Sequence, residues 1–117
     1  MQDNEILDLS RLQEAFDDDT AGIAELLQMA LETGAKHRQS LAEGLAASDA
    51  TVVARAAHGI KGSAGNIGAT RVAALATELD QRARTGNLEG ARERIEAIGA
   101  AYDELAERVR AYRYGIA

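Results

Sequence analysis

The sequence predicts an all-α protein, an up-down four-helix bundle with a short additional helix at its N-terminal end. Three observations carry that prediction. Proline is absent while Ala, Leu, Glu and Arg dominate, and these residues lose little side-chain entropy in a helix. Only 3% of the chain is aromatic against 46% hydrophobic, so the core is built from Ala, Leu, Ile and Val, which favours closely packed helices over a sheet. Apolar residues also recur at spacings of three and four through most of the chain. With 117 residues, one domain spanning 1–117 is expected, burying roughly two thirds of its unfolded surface.

The elements follow in order. Asp8 is placed to cap a short helix in which Leu9, Leu12 and Phe16 form the inner stripe, ending at the turn Asp17-Asp18-Asp19. From Thr20, Ile23, Leu27, Ala30, Gly34, His37, Leu41 and Leu45 mark a long second helix. Ser48 and Asp49 supply a turn and the next N-cap. The third helix is expected from Ala50 to Ala64 on Val53, Ala57, Ile60 and Ala64, with a Gly/Asn-containing link reaching Gly68. A fourth is expected from Ala69 to Thr85 on Val72, Leu75, Ala76, Leu79 and Ala83, stopped by Gly86. Asn87 is suited to cap the fifth, whose stripe runs Leu88, Ala91, Ile95, Ile98, Tyr102, Leu105, Val109 and Tyr112. Short loops between long helices make neighbours antiparallel.

Composition excludes several functions. Without Cys there are no disulfides, thiolate metal sites, iron–sulfur clusters or Cys nucleophiles. A formal net charge of −6 repels nucleic-acid backbones and anionic lipid surfaces, so neither is an expected partner. No apolar run is long enough to span a bilayer. Met1-Gln2-Asp3-Asn4-Glu5 lacks the cationic start and apolar core of a signal peptide, and a cytoplasmic location is expected.

The segment that carries chemistry is Ala57-His58-Gly59-Ile60-Lys61-Gly62-Ser63-Ala64-Gly65-Asn66-Ile67-Gly68. Its glycines at 59, 62, 65 and 68 are unusual, because a glycine inside a helix costs about 1 kcal/mol relative to alanine. At about 100° per residue, His58 projects roughly 130° away from the mean direction of the third helix's inner stripe, toward solvent. Small residues (Ala54, Gly62, Gly65) and cations (Arg55, Lys61) surround it at helical spacing. Unprotonated imidazole is a competent nucleophile near neutral pH. Phosphoryl transfer demands in-line access and positive charge near three equatorial oxygens. An exposed His58 with room over Gly62 and the charge of Lys61 meets both requirements.

At these residues the chain resembles the histidine-containing phosphotransfer (HPt) domains of two-component phosphorelays. The resemblance rests on His58-Gly59-Ile60-Lys61-Gly62, extended through Ser63-Ala64-Gly65-Asn66-Ile67-Gly68-Ala69. It continues in Val72, Leu75 and the pair Leu79-Asp80, where family members commonly carry Leu-Glu, and in Ile6-Leu7-Asp8-Leu9-Ser10-Arg11-Leu12 upstream. It implies phosphorylation of the distal nitrogen of His58, phosphoryl charge neutralisation by Lys61 and steric clearance at Gly62. Asp80, or alternatively Gln81, would hold the other ring nitrogen and orient the imidazole. Gly59 departs from the Thr or larger residue usual in the family, and Asp80 is one methylene shorter than the common Glu.

What the resemblance implies is a monomeric phosphocarrier that receives a phosphoryl group from a receiver-domain aspartate and passes it to another receiver. The partners would be receiver domains of response regulators or a hybrid histidine kinase, docking over Ala54, Arg55, His58, Lys61, Gly62 and Gly65. The isolated domain would need no cofactor and hold no metal, Mg²⁺ being supplied on the receiver. It would be a stoichiometric intermediate without an ATP site. Two alternatives share parts of this pattern: a phosphoacceptor domain excised from a hybrid or chemotaxis-type kinase, and a degenerate bundle that only binds a partner.

Other features have simpler readings. His37 falls on an inner stripe, as a core or rim histidine does. Asp17-Asp18-Asp19 lacks the spaced ligands of a calcium loop, and the glycines match no nucleotide-binding loop.

Overall fold

A computed structural model describes residues 6–113, and every regular element in that range is helical. The short helix α1 (Ser10–Ala15) starts where Asp8 accepts hydrogen bonds from the Ser10 amide and hydroxyl at 3.1 and 2.8 Å. Leu12 is its buried contact. Phe16, expected on the inner stripe, is instead 39% exposed. The helix has ended at Ala15, and Asp17 and Asp18 adopt left-handed backbone angles that turn the chain before another inward position is reached.

Helix α2 (Thr20–Ala46) is capped by Asp19, whose carboxylate accepts from the Gly22 amide. Its 27 residues rise about 40 Å at 1.5 Å each, which accounts for the 43 Å long axis of the molecule. Ser48 in the left-handed region and the Asp49 cap, bonded to the Val52 amide at 3.2 Å, start α3 (Ala50–Ile67). The helix α4 (Thr70–Arg84) ends before Gly86, which takes φ 84°, and α5 (Ala91–Arg113) completes the ring. Each long helix packs on its sequence neighbours and α5 closes against α2, giving the up-down bundle with its leading short helix.

Two boundaries differ from the sequence expectation. Helix α3 runs one turn past Ala64, because burial of Ile67 makes continuing the helix favourable despite Gly65 and Asn66. Gly68 then reverses the chain at φ 85°. Its carbonyl accepts from the Asp8 amide at 2.9 Å, and any Cβ there would run into the Asp8 carbonyl oxygen. The leading segment, with Ile6 and Leu7 buried, is thereby tied to the α3–α4 turn. Helix α5 begins at Ala91 instead of Leu88. Asn87 caps the preceding turn, accepting from the Glu89 amide at 2.9 Å, and Gly90 at φ 74° sets the true start.

The core is aliphatic, with one large ring. Tyr102 of α5 lies across Gly34 of α2, where a Cβ would sit 2.6 Å from the ring. The Arg38 guanidinium lies over the same ring, 5.6 Å from its centroid. The phenol hydroxyl is buried without a hydrogen-bond partner among the described residues, and burial pushes its pKa up to about 12.

Candidate functional site

Helix α3 presents its two faces as the wheel predicts. Val53, Ala57, Ile60 and Ala64 are buried, and the His58 side chain is 65% exposed. Lys61 and Arg55, one turn to either side of His58, are exposed, and neither forms an ion pair among the described residues. Ala54 and Gly65 are partly exposed, and Gly62 is exposed.

The glycines of α3 divide into two kinds. At Gly59 a Cβ would land 2.6 Å from Cε1 of His37, so the half-buried imidazole of α2 occupies the space a larger residue would need. That contact is the physical reason for the departure at position 59, and it places His37 at the rim of the interface. At Gly62 and Gly65 a Cβ would meet no heavy atom within 4 Å. Nothing among the described residues requires glycine there, although each forgoes about 1 kcal/mol of helix propensity.

The adjoining helix contributes a carboxylate. Leu79 and Asp80 of α4 both face inward, and Asp80 is the buried charged residue among those described, with a side chain 4% exposed. A buried charge is costly unless hydrogen-bonded and paired. Asp80 has two partners at one oxygen: Nδ1 of His58 at 3.2 Å and Nη2 of Arg84 at 2.6 Å. Gln81 is exposed and makes no hydrogen bond to the imidazole among the described residues. The carboxylate oxygen that accepts from Arg84 can receive His58 only as a donor, so the ring carries its proton on Nδ1. In the neutral ring this leaves Nε2 with a free lone pair.

The structure thus brings Asp80 to His58 and sets Lys61, Gly62, Arg55, Ala54 and Gly65 around it on one face. Arg84 was not singled out from the sequence, although its i, i+4 spacing from Asp80 is visible there. The His37–Gly59 contact joins two helices and has no local signature. Among the described residues no three His, Asp or Glu side chains come together to hold a metal ion, and no helix is long and apolar enough to cross a membrane.

The sequence model of the Hpt domain matches residues 25–111. Among solved structures, the chain is similar to histidine-containing phosphotransfer protein B (HptB) from Pseudomonas aeruginosa PAO1. That likeness has 30% sequence identity and a TM-score of 0.84, and it covers 92% of this chain and 94% of that one. No curated protein sequence matches.

Proposed function

The chain belongs to the Hpt domain family and is a histidine phosphotransfer carrier of a phosphorelay; from that premise we propose that His58 is its phosphoacceptor. The observation that carries the assignment is the orientation of the ring. An exposed imidazole is held through Nδ1 by a buried carboxylate, which turns the lone pair of Nε2 toward solvent. Free neutral imidazole prefers its proton on Nε2; Asp80 favours the other tautomer, the one nucleophilic at the distal position.

Proteins of this family work with receiver domains, whose phosphorylated group is an aspartate. In the proposed step the Nε2 lone pair of His58 attacks the phosphorus of a receiver's aspartyl phosphate in line. The N–P bond forms as the acyl-phosphate P–O bond breaks, and that electron pair returns to the receiver's carboxylate. The imidazole ring gains positive charge as this happens, and the proton stays on Nδ1 facing Asp80. The negative charge of Asp80 therefore stabilises the transition state more than the ground state. Lys61, one turn along the exposed face, neutralises the equatorial oxygens, and the open space at Gly62 admits them. Mg²⁺ belongs to the receiver in this scheme. Transfer to a second receiver is the same step reversed, so the domain acts as a stoichiometric carrier and not as an ATP-using kinase.

Incubation with a radiolabelled phospho-receiver tests the assignment. Label that is acid-labile and base-stable, and lost in His58→Gln, is the expected result. Binding of the receiver with no label on the wild-type chain would refute it and leave an interaction module.

A further inference from the structure

We infer that Arg84 is a positioning residue for phosphoryl transfer, acting on His58 through Asp80. The inference rests on His58 being the acceptor, and it concerns a residue with no place in the His58-Lys61-Gly62 motif.

Arg84 lies one helical turn after Asp80 on α4, and its guanidinium donates to Oδ2, the same oxygen that faces Nδ1 of His58. The two contacts are unequal, 2.6 Å for Arg84 and 3.2 Å for His58. The shorter, charge-assisted bond holds the carboxylate plane, and the imidazole takes the remaining lone pair. One consequence follows from elementary electrostatics. A carboxylate bonded to a guanidinium remains an acceptor, which is the only role in which it selects the Nδ1–H tautomer.

Without Arg84, the Asp80 side chain would face His58 alone at 4% exposure. Its carboxylate would lose the shorter of its two contacts and, with it, the bond that fixes its orientation. A carboxylate free to turn holds the Nδ1–H less firmly, and the neutral Nδ1–H population falls. Arg84 itself is 64% exposed, so its side chain contributes little to the core and its replacement leaves the bundle folded.

The experiment uses the unphosphorylated protein. Long-range ¹H–¹⁵N correlation spectra report the protonation and tautomer of the His58 ring directly, at neutral pH, in wild type, Arg84→Met, Arg84→Lys and Asp80→Asn. The expected result is that the neutral Nδ1–H population falls by about half or more in Arg84→Met and recovers in Arg84→Lys. In the Asp80→Asn background, Arg84→Met should produce no further change, because the route through the carboxylate is already gone. An unchanged ring signature in Arg84→Met overturns the inference. So does an equal change in the Asp80→Asn background, which would mean that the arginine acts on the ring directly. The transfer rate from a phospho-receiver should fall with the Nδ1–H population. Because the spectra require no phosphorylation, a failure of His58 to accept label is distinguished from a failure of Arg84 to position it.

Discussion

Replacing Gly62 with alanine should make the protein more stable and replacing it with leucine should make it a poorer carrier. The two effects have different origins. A Cβ at position 62 meets no heavy atom within 4 Å, so Gly62→Ala creates no clash and removes only the conformational freedom of glycine in the unfolded chain. Within a helix interior that change is worth about 1 kcal/mol, which for a chain of this size raises the melting temperature by about 4 °C. Gly59→Ala is the internal comparison. Its Cβ would fall 2.6 Å from the His37 ring, so the propensity gain is offset by strain and the melting temperature should stay level or drop. In a docked complex the leucine side chain of Gly62→Leu would occupy the space above the helix where the phosphoryl oxygens pass. A tenfold slower transfer corresponds to about 1.4 kcal/mol of added barrier, a modest price for displacing a group in a closed site. Differential scanning calorimetry measures the first effect and single-turnover transfer from a phospho-receiver the second. A destabilised Gly62→Ala would show that the space is not open. Wild-type transfer by Gly62→Leu would refute the clearance role.

Two further outcomes are expected. Lys61→Ala should slow transfer while leaving thermal stability within about 0.5 kcal/mol, because the side chain is exposed; an unchanged transfer rate would remove Lys61 from the site. The Tyr102 phenol, raised by burial from 10.0 to about 12, stays protonated in the folded protein over a range where the unfolded chain ionises. Its contribution is therefore intact below pH 10 and is lost as pH rises toward 12. Denaturant titrations of wild type and Tyr102→Phe should diverge only above pH 10, and parallel curves there would contradict the burial of the hydroxyl.

Much of this protein could be read along the chain. Asp19 and Asp49 announce helix starts, Gly86 announces a stop, and the stripe Val53, Ala57, Ile60 and Ala64 is enough to turn His58 outward. These are local matters, decided by hydrogen bonds within a turn and by the 3.6-residue period of one helix. Two boundaries fell elsewhere, one set by burial and the other by a turn. Ile67 extended α3 through two poor helix formers, and the turn at Gly90 postponed α5.

Tertiary structure decided the rest, because a helix's period specifies directions relative to its own stripe and says nothing of what stands opposite. Asp80 and Gln81 are adjacent in sequence and about 100° apart on the helix, and only the packing of α4 on α3 brings one of them to Nδ1 of His58. The same packing turned a spacing of four into the Arg84–Asp80–His58 chain. It also sorted four similar glycines into one that makes room for His37, one that turns the chain against Asp8, and two that face open space. By itself, then, the sequence determined an outward-facing histidine on a helical bundle. Which carboxylate holds that histidine, and which glycines the fold does not need, were settled by the close approach of α2 and α4 to α3.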